Sequence, residues 1–178
     1  MSIRDAGNEF LTKAGCFQAT ADELQAKLSQ ATLALQHGGT GDARKIGGYL
    51  FSTMILQALA AECALKALAA KSTGKYRRDK HGHDLSKLYD DLTPQVKELV
   101  DSIAESLGIA SPKTILEKHR GDFVDWRYPS DDGRVLSANF SDLQRALIVL
   151  TETLNHKRFL DFCRETHSTD RPNRSHGG

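Results

Sequence analysis

The chain has 178 residues, 24 Lys and Arg against 23 Asp and Glu, and a formal net charge of +1. That balance excludes a protein that is basic throughout, and it leaves room for a local cationic site. Three widely separated cysteines, Cys16, Cys63 and Cys163, make neither a disulfide framework nor a zinc knuckle, so a reducing cytoplasm is the expected compartment.

One domain with its own core suits this length. The N-terminus lacks the apolar core of a signal peptide, and no apolar run is expected to cross a bilayer. Residues 1–16 read as a lead-in, with Gly7 and Gly15 interrupting any longer pattern. Phe17, Ala21, Leu24, Leu28, Ala31 and Leu35 then alternate spacings of three and four, which predicts an amphipathic helix. His37-Gly38-Gly39-Thr40-Gly41 breaks it. No Gly-Lys-Ser/Thr follows, so this is a connector and not a phosphate loop.

A long helix is expected from Asp42 to about Ser72, apolar almost all round between Tyr49 and Ala70 and therefore central. Glu62 is the exception, and Lys66 follows it at the favourable helical ion-pair spacing. Next comes a cationic stretch: six Lys or Arg lie between Lys71 and Lys87, among them Arg77, Arg78 and Lys80, together with His81 and His83. Such a concentration fits an anionic partner or a solvated loop.

Asp84 is placed to cap a short helix carrying Leu85, Leu88 and Leu92. Thr93-Pro94 opens another, with Val96, Leu99, Val100, Ile103 and Leu107 as its stripe and Gly108 as its end. Ser111-Pro112 repeats the cap-then-proline signature. The helix after it is expected to carry Ile115, Leu116, His119, Phe123 and Trp126 and to end near Arg127, because Pro129 disfavours helix at Tyr128. His119, Phe123 and Arg127 then share a face, flanked by Lys118 and Arg120. A last long helix is capped by Asn139 or Ser141 and runs to about Arg164, and residues 165–178 read as a disordered tail. The fold expected over residues 17–164 is an all-α, single up-and-down bundle of about five helices.

His81, His83 and His119 with Arg77, Arg78, Lys118 and Arg127 form the polar set with chemistry in it. Arginine and lysine stabilise phosphate, and histidine exchanges protons with a 2′-hydroxyl or a leaving oxygen. No carboxylate or cysteine completes a metal-ligand set beside the histidines, and no cofactor motif is present. Ser86 and Cys63 carry no nucleophile signature around them.

Glu62-Cys63-Ala64-Leu65-Lys66-Ala67-Leu68, Gly74 and His83-Asp84-Leu85-Ser86-Lys87-Leu88 resemble the core signature of HEPN domains, all-α domains found in prokaryotes and higher eukaryotes. The segment His119, Phe123 and Trp126-Arg127-Tyr128-Pro129 is similar to one in some bacterial members, and the resemblance spans residues 46–154. It implies a helical bundle, commonly a homodimer, with a basic cleft that binds RNA or nucleotide. It further implies a setting in toxin–antitoxin or antiviral defence systems, and an antitoxin or nucleotidyltransferase as a protein partner. On that basis Arg77, Arg78, Lys80, His81, His83, Lys118, Arg120 and Tyr128 are expected to bind, and Glu62, Lys66, Asp84 and Trp126 to act structurally. Two alternatives are a metal-independent endoribonuclease using His119 and Arg127, and a non-catalytic protein-interaction module. Nuclease members carry an Arg followed closely by a His late in the bundle; here the late order is His119 before Arg127.

Overall fold

The computed structural model describes residues 3–39, 41–74, 82–121, 124 and 140–168, with side chains described for 6–39, 41–74, 82–121, 124 and 141–166. All regular structure among these residues is α-helical, in seven helices: α1 (Ile3–Gln36), α2 (Ala43–Thr73), α3 (Leu85–Asp90), α4 (Pro94–Ser106), α5 (Pro112–Lys118), α6 (Phe140–Asn155) and α7 (Lys157–Ser168).

The expected lead-in is helix. α1 runs unbroken through Gly7, Gly15 and Cys16 for 34 residues. An interior glycine weakens a helix by about 1 kcal/mol relative to alanine, and packing along α2 outweighs this. Ala6, Ala14 and Ala21 are buried, and Phe10, Leu11 and Phe17 lie against the core. Gly7 also serves close approach: a methyl group there would fall 2.9 Å from Lys71 Cγ.

Gly7 beside Lys71, Gln25 beside Gln57 and Leu35 beside Gly41 make α1 and α2 an antiparallel hairpin. Asp42 starts α2 by accepting from the Arg44 and Lys45 N–H groups, and Gly74 ends it at φ 63°, donating to the Ala70 carbonyl. From Thr53 onward α2 is buried nearly all round, with Ala58, Ala60, Ala61, Ala64, Leu65, Ala67 and Leu68 all sealed from solvent. Small alanines let neighbouring helices approach closely, and α2 packs against α1, α3, α6 and α7. α2 is also apolar and long enough to cross a bilayer by length and composition alone, which differs from the sequence expectation; 72% of its most apolar window is buried inside the protein.

Among the described residues there are seven helices where about five were expected. Both helices start at the prolines as read, Pro94 and Pro112, but only Thr93 caps with its side chain, accepting from the Val96 N–H, while Ser111 makes no side-chain capping bond. Leu107, expected in the α4 stripe, is 46% exposed, because the helix ends there and Gly108 turns the chain at φ 64°. The last helix is in fact two. His156 breaks it: its Nδ1 accepts from the Arg158 N–H at 3.2 Å and so caps α7. α7 continues to Ser168, so residues 165–168 are helical and not tail. The remaining expected tail, 169–178, lies outside the described residues.

Candidate functional site

Asp84 fixes the start of α3 by accepting from the Lys87 N–H at 3.1 Å. The next residue, Leu85, donates its N–H to the Arg120 carbonyl at 3.3 Å. That bond joins two places the sequence left unconnected: the His83-Asp84-Leu85 turn and the His119-Arg120 end of α5 lie side by side. Leu85, Leu116 and Ile115 are buried in the common core, which holds the two segments together.

Against this junction stands Glu62 of α2, only 6% exposed. A buried carboxylate needs compensation, and it has two partners. Lys66, one helical turn on, is hydrogen-bonded to Oε1. His83 meets Oε2 through Nδ1 at 2.6 Å. With Glu62 ionised, His83 Nδ1 carries the proton and donates it, and in the neutral ring Nε2 on the far edge is then the basic nitrogen. The His83 side chain is 44% exposed while Glu62's is 7% exposed, so the carboxylate orients from inside an imidazole that faces outward. Lys66 Nζ also lies 5.9 Å from the Phe10 ring centroid, which ties the pair to α1. The neighbouring Cys63 thiol is pushed up to about 11, first by burial and then by the Glu62 charge, so it is no nucleophile at neutral pH.

Of the expected catalytic pair, only His119 is among the described residues. α5 ends at Lys118, with His119 at φ −101° as its cap, and Gly121 lies just beyond. The helix does not continue through His119, Arg120 and Gly121, and Phe123 and Arg127 lie outside the described residues. His119 is 2% exposed and packed in the interior. Lys118 reaches Asp142 of α6 at 2.6 Å. The Lys118 hydrogen bond holds the Asp142 carboxyl below its usual range against the opposing effect of burial, helped by the charges of Lys118, His119 and Arg145. Arg120 is exposed beside the His83 turn. Arg77, Arg78, Lys80, His81, Trp126, Arg127 and Tyr128 lie outside the described residues.

Among the described residues no group of three or more His, Cys, Asp or Glu side chains could hold a metal ion. The Glu62–His83 contact is what sequence reasoning missed. The helical spacing exposed Glu62–Lys66, but nothing local reports a partner 21 residues away across a turn. These features define an all-helical bundle with a carboxylate-held histidine at a helix junction. Comparison with protein-family models, with curated proteins and with solved structures finds no match to this chain.

Proposed function

We propose that this protein is a HEPN-like helical module that binds RNA or a nucleotide on the side where the His83 turn meets the end of α5. The observation carrying this reading is the outward-facing His83, held by buried Glu62 next to exposed Arg120. His83 also closes, in the sequence, the cationic stretch whose Arg77, Arg78 and Lys80 lie outside the described residues. Arginine and histidine side chains so grouped suit phosphate oxygens.

The test is fluorescence anisotropy with a labelled single-stranded RNA. Binding is expected to weaken steeply with salt, and Arg77→Ala/Arg78→Ala and Arg120→Ala each to weaken it several-fold and lower the salt slope. Binding indifferent to both salt and these substitutions would sink the reading.

The Glu62–His83 geometry also favours a metal-independent endoribonuclease. In that reading His83 Nε2 takes the proton of an RNA 2′-hydroxyl, the oxygen attacks phosphorus, and the 5′-oxygen leaves with a proton from water, giving a 2′,3′-cyclic phosphate and a 5′-hydroxyl. His83 takes the role that His119 was expected to play, because His119 is 2% exposed. Incubation of a mixed RNA pool with EDTA should yield these ends with the parent and none with His83→Gln. Equal cutting by both proteins would remove His83 from the chemistry.

A further inference from the structure

A neutral imidazole has one N–H, and at His83 it is already committed. Glu62 Oε2 lies 2.6 Å from Nδ1, and the carboxylate is held inside at 6% exposure. An ionised carboxylate only accepts, so the Nδ1 proton goes to it. The oxygens of a phosphodiester also only accept. A neutral His83 therefore meets phosphate with a ring nitrogen that has no proton to give. The imidazolium has two N–H groups, one for Glu62 and one for a phosphate oxygen.

The charges around the ring lead to the same place. On α2, Lys66 is hydrogen-bonded to Glu62. At the start of α3, Lys87 lies 3.7 Å from Asp84. At the end of α5, Lys118 meets Asp142 of α6 at 2.6 Å and His119 is buried. On α1, Lys13 is paired with Glu9 at 2.5 Å, and the Phe10 ring lies by Lys66. Each of these carboxylates thus has its own lysine. Arg120 is exposed and forms no ion pair among the described residues. With His83 neutral, Arg120 is the cation at this junction that the described carboxylates leave to an anion. Protonation of His83 adds a second one beside it.

We propose that RNA binding at this junction is coupled to proton uptake at His83: the imidazolium bridges the Glu62 carboxylate and a backbone phosphate, so the protein holds RNA more tightly in mild acid than in mild alkali. The inference rests on the RNA-binding reading and adds its regulation by pH. It also sets binding against cleavage, because a general base must be the neutral ring and the phosphate-holding form is the charged one.

Fluorescence anisotropy at fixed salt, with a labelled single-stranded 2′-O-methyl RNA ending in hydroxyls, tests it. The methyl groups prevent cleavage, and the phosphodiesters stay ionised throughout. A terminal phosphate, which titrates at about pH 6, is left off so that it adds no protons of its own. The parent's dissociation constant should fall about tenfold from about pH 8 to about pH 5.5, the worth of one charge-assisted hydrogen bond over the range in which histidine titrates. Arg120→Ala should weaken binding at both pH values and keep the tenfold gain. His83→Gln, whose amide can still donate to Glu62 but cannot become a cation, should lose the gain. Should His83→Gln lose the parent's helical circular dichroism, calorimetry on the parent replaces it: binding enthalpies at about pH 7 in two buffers of different ionisation enthalpy should show net proton uptake. A gain that persists in His83→Gln, a parent affinity flat across pH, or no net uptake overturns the inference, while salt-sensitive binding keeps the RNA-binding reading. Absence of binding at every pH removes both.

Discussion

A carboxylate at 6% exposure in an alanine-rich helix cannot stand as a lone charge, and Glu62 does not. Lys66 and His83 hold it from two sides, and the Lys66 side chain is itself only 13% exposed. Removing one member strands the other. Glu62→Ala is expected to lower unfolding stability by about 3 kcal/mol, because it leaves a largely desolvated ammonium without its carboxylate. The double replacement Glu62→Leu/Lys66→Met should recover most of that loss, since apolar groups of similar volume carry no desolvation penalty. Urea titrations of parent, Glu62→Leu, Lys66→Met and the double form the cycle that checks this, and strictly additive losses would show that the pair is not coupled. The half of this site that obeys helical spacing, Glu62 with Lys66, was legible in the sequence. The half that crosses the Gly82 turn, Glu62 with His83, was not, because tertiary contacts across a turn leave no periodic trace. The burial of His119 was not legible for a related reason: a histidine among charged neighbours gives no local sign of the turn that places it inside.

Three helices, α2, α3 and α4, begin where the sequence says. Asp42, Asp84 and Thr93 each accept from the first turn of the helix they start. His156 does the same through a ring nitrogen, and it is a cap no residue preference announces, with neither proline nor glycine beside it. His156→Ala is expected to destabilise by about 1 kcal/mol, and His156→Asn to restore most of that, because asparagine supplies an acceptor at the same place. Thermal denaturation ranks the three, and an Asn variant no better than Ala would assign the break to packing instead of capping. The end of α5 was misjudged because Phe123 and Trp126 continue a helical pattern past Gly121. Between α5 and α6 the Lys118–Asp142 pair gives a pH-dependent link. Asp142 has a lowered folded-state pKa, so its contribution is complete above the unfolded carboxylate value of about 4 and is lost as pH falls through the lower folded value. The urea midpoints of parent and Asp142→Asn should therefore differ at about pH 7 and converge near pH 2. The gap will be small, because Lys118 is half exposed and solvent screens the pair. A gap that widens on acidification contradicts the sign.

At the scale of the molecule, periodicity and cap signatures were enough to read an all-helical protein with the 43–73 helix at its centre. The number of helices and the reach of the first one depended on packing. α1 passes through two glycines because α2 offers it a continuous groove, and the last helix divides where a single side chain caps a new start. The architecture concentrates risk in α2, which is shared by α1, α3, α6 and α7. Leu65 sits on it with no exposure, and its truncation to alanine leaves a cavity among close-packed neighbours. A loss of about 2–5 kcal/mol is expected, a large share of the roughly 5–15 kcal/mol that a domain has in total. Because one helix serves four others, the loss cannot stay local. Helical circular dichroism and alkylation of Cys63, a buried thiol on the same helix, should report one unfolding midpoint in the parent and one lower midpoint in Leu65→Ala, the two probes shifting together. If Cys63 became reactive well before the helical signal fell, the later helices would be leaving α2 while the α1–α2 hairpin persisted, and α2 would be the spine of two separable units instead of the core of one.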